Sequence, residues 1–308
     1  DGIGYIFVSN LIPSVLLAIL LLPDYAKLKF EFDAKLFKQM LRYTYPLIIL
    51  GITGIMNQTV DKILYPFIFD NVEEGRAQLG IYSAGTKIAV VMAMFTQAFR
   101  FAYEPFIFAQ NKEKDSKQTY SRVMTFFVLF ALVMFLGVTF YLDILKYFIA
   151  PAYFDGIVVV PIVMLGELFF GIYFNLSLWF KLLDKTMFGA LFSIIGCIII
   201  VAINVIFVPI YGFIASAWAT LACYFIMTAL SYFFGQKYYP INYDVKKIAF
   251  YFILALCFYF IGTLPQIDSE ILRLGYRTVL LILFVAIIVK RDVPLSTIPI
   301  LNRYVKKK

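Results

Sequence analysis

Apolar runs of about twenty residues, separated by short charged connections, recur along the whole of this 308-residue chain. A helix rising 1.5 Å per residue needs that length to cross the roughly 30 Å hydrocarbon core of a bilayer. Composition agrees with that solvent. Hydrophobic residues make up 62% of the chain and charged residues 15%, and the mean hydropathy is +0.86. A soluble domain is about half apolar and about a quarter charged. The chain reads as an all-α polytopic membrane protein. Nine spans are placed, at residues 3–22, 44–69, 79–108, 123–149, 157–180, 187–208, 213–234, 248–264 and 273–289. The third is long for one perpendicular crossing and is read as tilted or as extending into the cytoplasm.

The charge of +8 falls in particular connections, so it reads as a topology signal and not as a stripe for nucleic acid. Bases gather in 27–42, 112–122, 181–185 and 237–247 and in the tail "KRDVPLSTIPILNRYVKKK", which together hold 20 of the 27 Lys and Arg residues. The opposite connections carry Arg76 as their only base. By the positive-inside rule the C-terminus is cytoplasmic, and an odd number of spans places residue 1 outside. No soluble domain fits between spans, since the longest connection is Pro23 to Tyr43. Any chemistry must therefore occur within the membrane. The chain has no histidine and no CxxC, and Cys197, Cys223 and Cys257 lie in apolar segments. They are read as packing residues, and no metal or other cofactor is expected. The opening "DGIGYIFVSN" lacks Met and a basic leader. It is read as the start of a fragment.

Ionised groups deep in a bilayer cost about 2.5–3.5 kcal/mol each near a helix centre and normally face a bundle interior or a wet cavity. In "NQTVDKILYPFIF", Asn57 and Asp61 are four residues apart, as are Gln58 and Lys62, making one polar stripe. Pro66 follows one turn later and permits a bend. Arg100 and Glu104 form another pair at that spacing, with Gln97 beside them. Lys87 is read as sharing their broad side of the helix, so that the four would line one aqueous cavity; the bland alternative is an internal Arg–Glu bridge. Glu167 stands in "PIVMLGELFFGIYFN" with Asn175 eight residues on. It is read either as a cavity group or as a partner of a neighbouring base. Asn204 is expected to make an interhelical hydrogen bond, and Gly212, Ala215 and Ala219 to permit close helix packing.

The string "LGIYSAGTKIAVVMAMFTQAFRFAYEPFIFAQ", Leu79 to Gln110, resembles the polysaccharide repeat-unit flippases of the Wzx type in its "GxYs…kia" opening and its later "A-[WF]-R-x-x-x-E-P-F" pattern. "VDKILY" precedes it, and "APAYFDGIVVVPIVMLGELFFGIYFNLSLWFKLLDKT" and "INVIFVPIYGFIASAWATLACYF" follow in the order that family shows. The resemblance covers most of residues 40–245. It implies the fold of the multidrug/oligosaccharidyl-lipid/polysaccharide (MOP) exporter superfamily. That is a MATE-like arrangement of two six-helix lobes around a cavity, often with two further C-terminal helices. On that plan residues 1–22 are the last helix of the first lobe and 23–43 a basic cytoplasmic linker. Residues 44–235 are the second lobe, and 236–308 the appended helix pair with its cytoplasmic tail. About nine of an expected fourteen helices are then present.

The function so implied is a flippase, not an enzyme. It would carry undecaprenyl-pyrophosphate-linked oligosaccharide repeat units, as for O-antigen, lipopolysaccharide or capsule, across the bacterial inner membrane by alternating access. Lys62, Lys87, Arg100, Gln97 and Asn57 are expected to contact substrate, the cations meeting its diphosphate. Asp61, Glu104 and Glu167 are expected to take up the proton or sodium ion that biases the conformational equilibrium. A polysaccharide polymerase and a chain-length regulator are the protein partners implied. The alternatives are a lipid II flippase and a drug or metabolite antiporter of the same superfamily. A membrane-embedded glycosyl polymerase or ligase fits less well, because it needs a sizeable outer loop.

Overall fold

The computed structural model describes residues 2–25, 32–69, 71–110, 115–265 and 267–292. Lys27, Lys29, Lys112, Lys114 and the tail 293–308, used above to orient the chain, lie outside the described residues. The chain divides into two compact units, Asp1–Thr44 and Tyr45–Lys308. The first contains helix α1 (Gly2–Tyr25) and the beginning of α2 (Ala34–Ile68). Asp33 starts α2, its Oδ1 accepting from the backbone N–H of Lys35 at 2.8 Å and of Leu36 at 3.1 Å. The second half of the expected 23–43 linker is therefore helical. With Lys35, Lys38 and Arg42 on a capped, otherwise helix-forming segment, nothing in its local chemistry breaks the helix before the apolar run begins.

The second unit holds the rest of α2, then α3 (Val72–Gln110), α4 (Ser116–Phe140), α5 (Leu142–Leu145), α6 (Val160–Leu176), α7 (Leu178–Leu182), α8 (Met187–Tyr211), α9 (Phe213–Tyr238), α10 (Val245–Thr263) and α11 (Glu270–Asp292). Short 3₁₀ helices at Lys146–Phe148 and Pro151–Val159 lead from α5 into α6. Among the described residues, eight helical stretches are long and apolar enough to cross a membrane. The ninth expected span coincides with α1, whose apolar part, Phe7–Pro23, is shorter. The protein is an all-α polytopic membrane protein.

Helix α9 packs against both α6 and α8, and α6 also against α3 and α4. The α10–α11 hairpin packs on α4. The largest core cluster includes Tyr65, Tyr82, Phe127, Phe135, Phe140, Leu168, Tyr251 and Phe284, and a second joins Trp179, Phe180, Phe192, Tyr224 and Met227. Outward-facing Ile, Leu and Phe side chains are abundant. In water they would form an untenable apolar surface; against lipid tails they are the expected coat.

Gly212 has φ +63°, a backbone conformation that glycine adopts freely, and it turns the chain from α8 into α9 within one residue. Gly85 is small for a different reason. A Cβ there would lie 2.1 Å from the backbone oxygen of Gly156 and 2.8 Å from Val159 Cγ2, so α3 touches the Pro151–Val159 helix backbone to backbone. Gly85→Ala is expected to destabilise the fold by at least about 1–3 kcal/mol, because a backbone carbonyl cannot swing aside. Fluorescence-detected size exclusion after graded heating measures this, with Gly137→Ala, where nothing lies within 4 Å, as the control. An unchanged Gly85→Ala profile would mean that the two segments are not in contact.

The structure corrects the inventory of bases at the end of the bundle away from the basic connections. Helix α4 stops at Phe140, so Lys146 lies beyond it, and α11 begins at Glu270, so Arg273 and Arg277 stand in its first two turns. That end carries Lys146, Arg273 and Arg277 besides Arg76. The cause is that the span read as 123–149 was set seven to nine residues, about two turns, too far along, while the one read as 273–289 stops three residues short of the helix at each end.

Candidate functional site

A cavity of about 320 Å³ lies between α2, α3, α6 and α9. From α2 it receives Asn57, Gln58, Asp61 and Lys62, and from α3 Tyr82, Ser83, Thr86 and Lys87. Glu167 enters from α6, and Thr220 and Tyr224 from α9. Ala89, Val90, Ala93 and Val163 form its apolar wall. Both α2 and α3 present polar groups at i, i+1, i+4 and i+5, which keeps them on one helical face. Five of the eight residues expected from the sequence thus share one hollow.

Asp61 is buried, with 3% of its surface exposed. Its Oδ2 accepts from the Tyr82 hydroxyl at 2.7 Å and its Oδ1 from the backbone N–H of Lys62 at 2.8 Å. No cation lies within ion-pair distance of it among the described residues. The charge of Lys62 acts on both Asp61 and Glu167, and Tyr224 lies in the field of both carboxyls. Neither Lys62 nor Lys87 forms an ion pair among the described residues, and Lys87 is exposed. Two amines and two carboxyls therefore meet in one hollow without cancelling in fixed pairs. Such an arrangement leaves the lysines available to an anion and the carboxyls to a small cation.

Asn57 lines the cavity, yet its Nδ2 donates to the Ser193 carbonyl at 3.2 Å on α8, and its buried Oδ1 has no partner among the described residues. Two turns on, the Tyr65 hydroxyl meets Ser216 Oγ at 2.8 Å, and Ser216 donates to Asn204 Oδ1 at 2.7 Å. Asn204 makes the interhelical bond expected of it. These contacts, with Asp61–Tyr82, fasten α2 to α3, α8 and α9.

Arg100, Gln97 and Glu104 do not line this cavity. Thirteen residues at about 100° each bring Arg100 roughly 220° past whole turns from Lys87, close to the opposite face, and about 20 Å along the axis. The expectation of one shared side on α3 is overturned by helical geometry itself. Arg100 and its neighbours form a separate cluster. Glu104 is engaged by Lys181 of α7 and lies 3.7 Å from Arg100 Nε. The Arg100 guanidinium sits over the Phe174 ring at 4.7 Å, and its Nη1 donates to Gln97 Oε1 at 3.5 Å. Its buried Nε makes no hydrogen bond among the described residues. Lys181, read from the sequence as a loop base, thus reaches back into the bundle.

No protein-family model matches the sequence, and no curated protein does. A solved structure, "Lipid II flippase MurJ, inward closed conformation", superposes with a TM-score of 0.61 at 18% sequence identity. The match covers 92% of this chain and 61% of that one. The chain has the fold of that flippase. It spans about three fifths of that structure's length, and the all-α polytopic class expected from the sequence is the class observed.

Against that fold, the cavity residues missed by sequence reasoning are Tyr82, Ser83, Thr86, Thr220 and Tyr224. The signal for the first three was present: "YSAGTK" repeats on α3 the polar spacing of "NQTVDK" on α2. Weakly polar Tyr, Ser and Thr in an apolar run pass for packing residues unless that repetition is noticed.

Proposed function

We propose that the full-length protein containing this chain is a flippase for polyprenyl-diphosphate-linked saccharides, moving them from the inner to the outer leaflet of the bacterial inner membrane by alternating access. The preferred cargo is an oligosaccharide repeat unit, of the kind used for O-antigen or capsule, and the driving force is a proton or sodium gradient. Residues 44–235 serve as the second lobe, 236–308 as the appended pair, and the C-terminus faces the cytoplasm. One observation carries this reading above the others: Lys62 and Lys87 share a hollow with Asp61 and Glu167 between helices long and apolar enough to cross a membrane. An anionic diphosphate needs the cations, and a coupling ion needs the carboxyls. Arg100 and Lys181, with one carboxylate between them, provide a second station of net positive charge closer to the basic connections. A polysaccharide polymerase and a chain-length regulator are the partners proposed downstream.

A second reading takes lipid II as the cargo. The fold likeness to a solved lipid II flippase favours it, and a diphosphate would meet the same lysines. The test is reconstitution of the full-length protein into liposomes with each cargo fluorescently tagged. A proton or sodium gradient is then imposed, and exposure of the tag to a membrane-impermeant quencher is followed. Gradient-stimulated flipping of the repeat unit, reduced several-fold by Lys62→Gln, is the expected result. Flipping of lipid II alone decides for the second reading, and failure to flip either removes both.

A further inference from the structure

At the end of the bundle opposite the basic connections, Arg273 and Arg277 converge on one carboxylate oxygen. Arg273 Nε donates to Asp143 Oδ2 at 2.9 Å, and Arg277 Nη1 donates to the same atom at 2.7 Å. Backbone carbonyls hold the forks in place. Arg277 Nε donates to Gly262 at 3.0 Å and its Nη1 to Phe140 at 3.1 Å, while Arg273 Nη1 donates to Ile267 at 3.2 Å. The Nη2 group of each guanidinium makes no hydrogen bond among the described residues. Both arginines border a cavity of about 400 Å³, together with Thr263 and Asp268. Asp268 is exposed and has no ion pair among the described residues.

This cavity sits at the turn between α10 and α11, where two spans end. That depth is the boundary between hydrocarbon and headgroup. Leu264, Ile271 and Leu272 beside it are 73%, 83% and 67% exposed, a surface suited to acyl chains. Two guanidiniums and two carboxylates also balance in charge, and they are spatially sorted. The arginines are knit together through Asp143, and Asp268 stands apart. A purely anionic headgroup would meet Asp268 as a repulsive neighbour. A zwitterion with phosphate at one end and a hydrogen-bonding ammonium at the other matches both halves.

We propose that this cavity binds the headgroup of a zwitterionic phospholipid bearing a primary ammonium, of the phosphoethanolamine kind. Its phosphate lies on the free Nη2 groups of Arg273 and Arg277, and its ammonium on Asp268. A trimethylated headgroup keeps the charge but cannot donate hydrogen bonds, so choline lipids bind less well. The site fastens the appended helix pair to the bilayer boundary and does not depend on what the protein transports.

Native mass spectrometry of the full-length protein, exchanged in detergent against ethanolamine, glycerol and choline phospholipids of identical acyl chains, tests this. The ethanolamine lipid is expected to be retained roughly tenfold better than either of the others. Asp268→Asn is expected to erase its advantage over the glycerol lipid. Arg273→Gln is expected to weaken retention of every phospholipid. Equal retention of ethanolamine and glycerol lipids by the wild-type protein, or an ethanolamine preference that survives Asp268→Asn, overturns the assignment. Should Arg273→Gln elute as aggregate, the Asp268→Asn comparison alone decides, because Asp268 holds no other element in place.

Discussion

Asp61→Asn in the full-length protein is expected to reduce gradient-driven flipping at least about tenfold while the protein still inserts and elutes as a folded species. Asn preserves the volume of the side chain and can still accept from the Tyr82 hydroxyl, so the contact that joins α2 to α3 persists in neutral form. What disappears is a negative charge that the bilayer interior makes costly and that no cation within ion-pair distance offsets among the described residues. A group maintained at that cost is expected to act by changing its occupancy: proton or sodium ion bound in one state, absent in the other. A ligand biases two conformations only through its differential affinity for them, and tenfold in rate or population corresponds to about 1.4 kcal/mol of such bias. The measurement is flipping rate against imposed gradient in liposomes. Wild-type protein should respond steeply and the Asn variant hardly at all. If the variant keeps the full gradient response, Asp61 is a packing group and Glu167, the other carboxyl in the hollow, becomes the coupling candidate.

Much of this fold was legible because lipid simplifies the code. A twenty-residue apolar run has one solution in a bilayer, so α3, α6, α8, α9 and α10 fall close to where hydropathy alone places them. Element ends were less legible. Helix α2 continues backward to Asp33 since a cap and good helix formers, not hydrophobicity, decide that terminus. The cavity was half legible. Spacing of Asn57, Gln58, Asp61 and Lys62 marked one wall, but the reading of α3 linked Lys87 to Arg100, whose side chains leave the helix in nearly opposite directions. Long-range polar partners were not legible at all. Glu104 meets a lysine 77 positions away, and Asp143 meets arginines 130 and 134 positions away. No periodicity within one helix reports a contact set by how other helices pack.

The Asp143 cluster gives the largest expected effect on stability. Asp143→Leu leaves two guanidiniums, whose side chains are 22% and 11% exposed, converging on a point with no anion. Removing one partner of a buried ion pair costs about 3–5 kcal/mol, because the remaining charge keeps its desolvation penalty. Here two charges of like sign are orphaned together but stay partly exposed, so the lower part of that range is expected, felt where α11 meets α5 and the end of α4. Replacing the whole cluster is expected to behave differently. In the triple variant Asp143→Leu with Arg273→Met and Arg277→Met no charge remains to desolvate, and well-packed apolar groups substitute for such clusters at little or no cost. Its melting temperature in detergent should therefore recover most of what the single variant loses, while the retained ethanolamine lipid disappears with the guanidiniums. Thermal scanning of the single and triple variants separates a charge-balance effect from a packing effect. A triple variant that melts as low as Asp143→Leu would mean that the hydrogen bonds from Arg277 to the carbonyls of Gly262, within the α10–α11 hairpin, and of Phe140, at the end of α4, and not its pairing with Asp143, hold this region together.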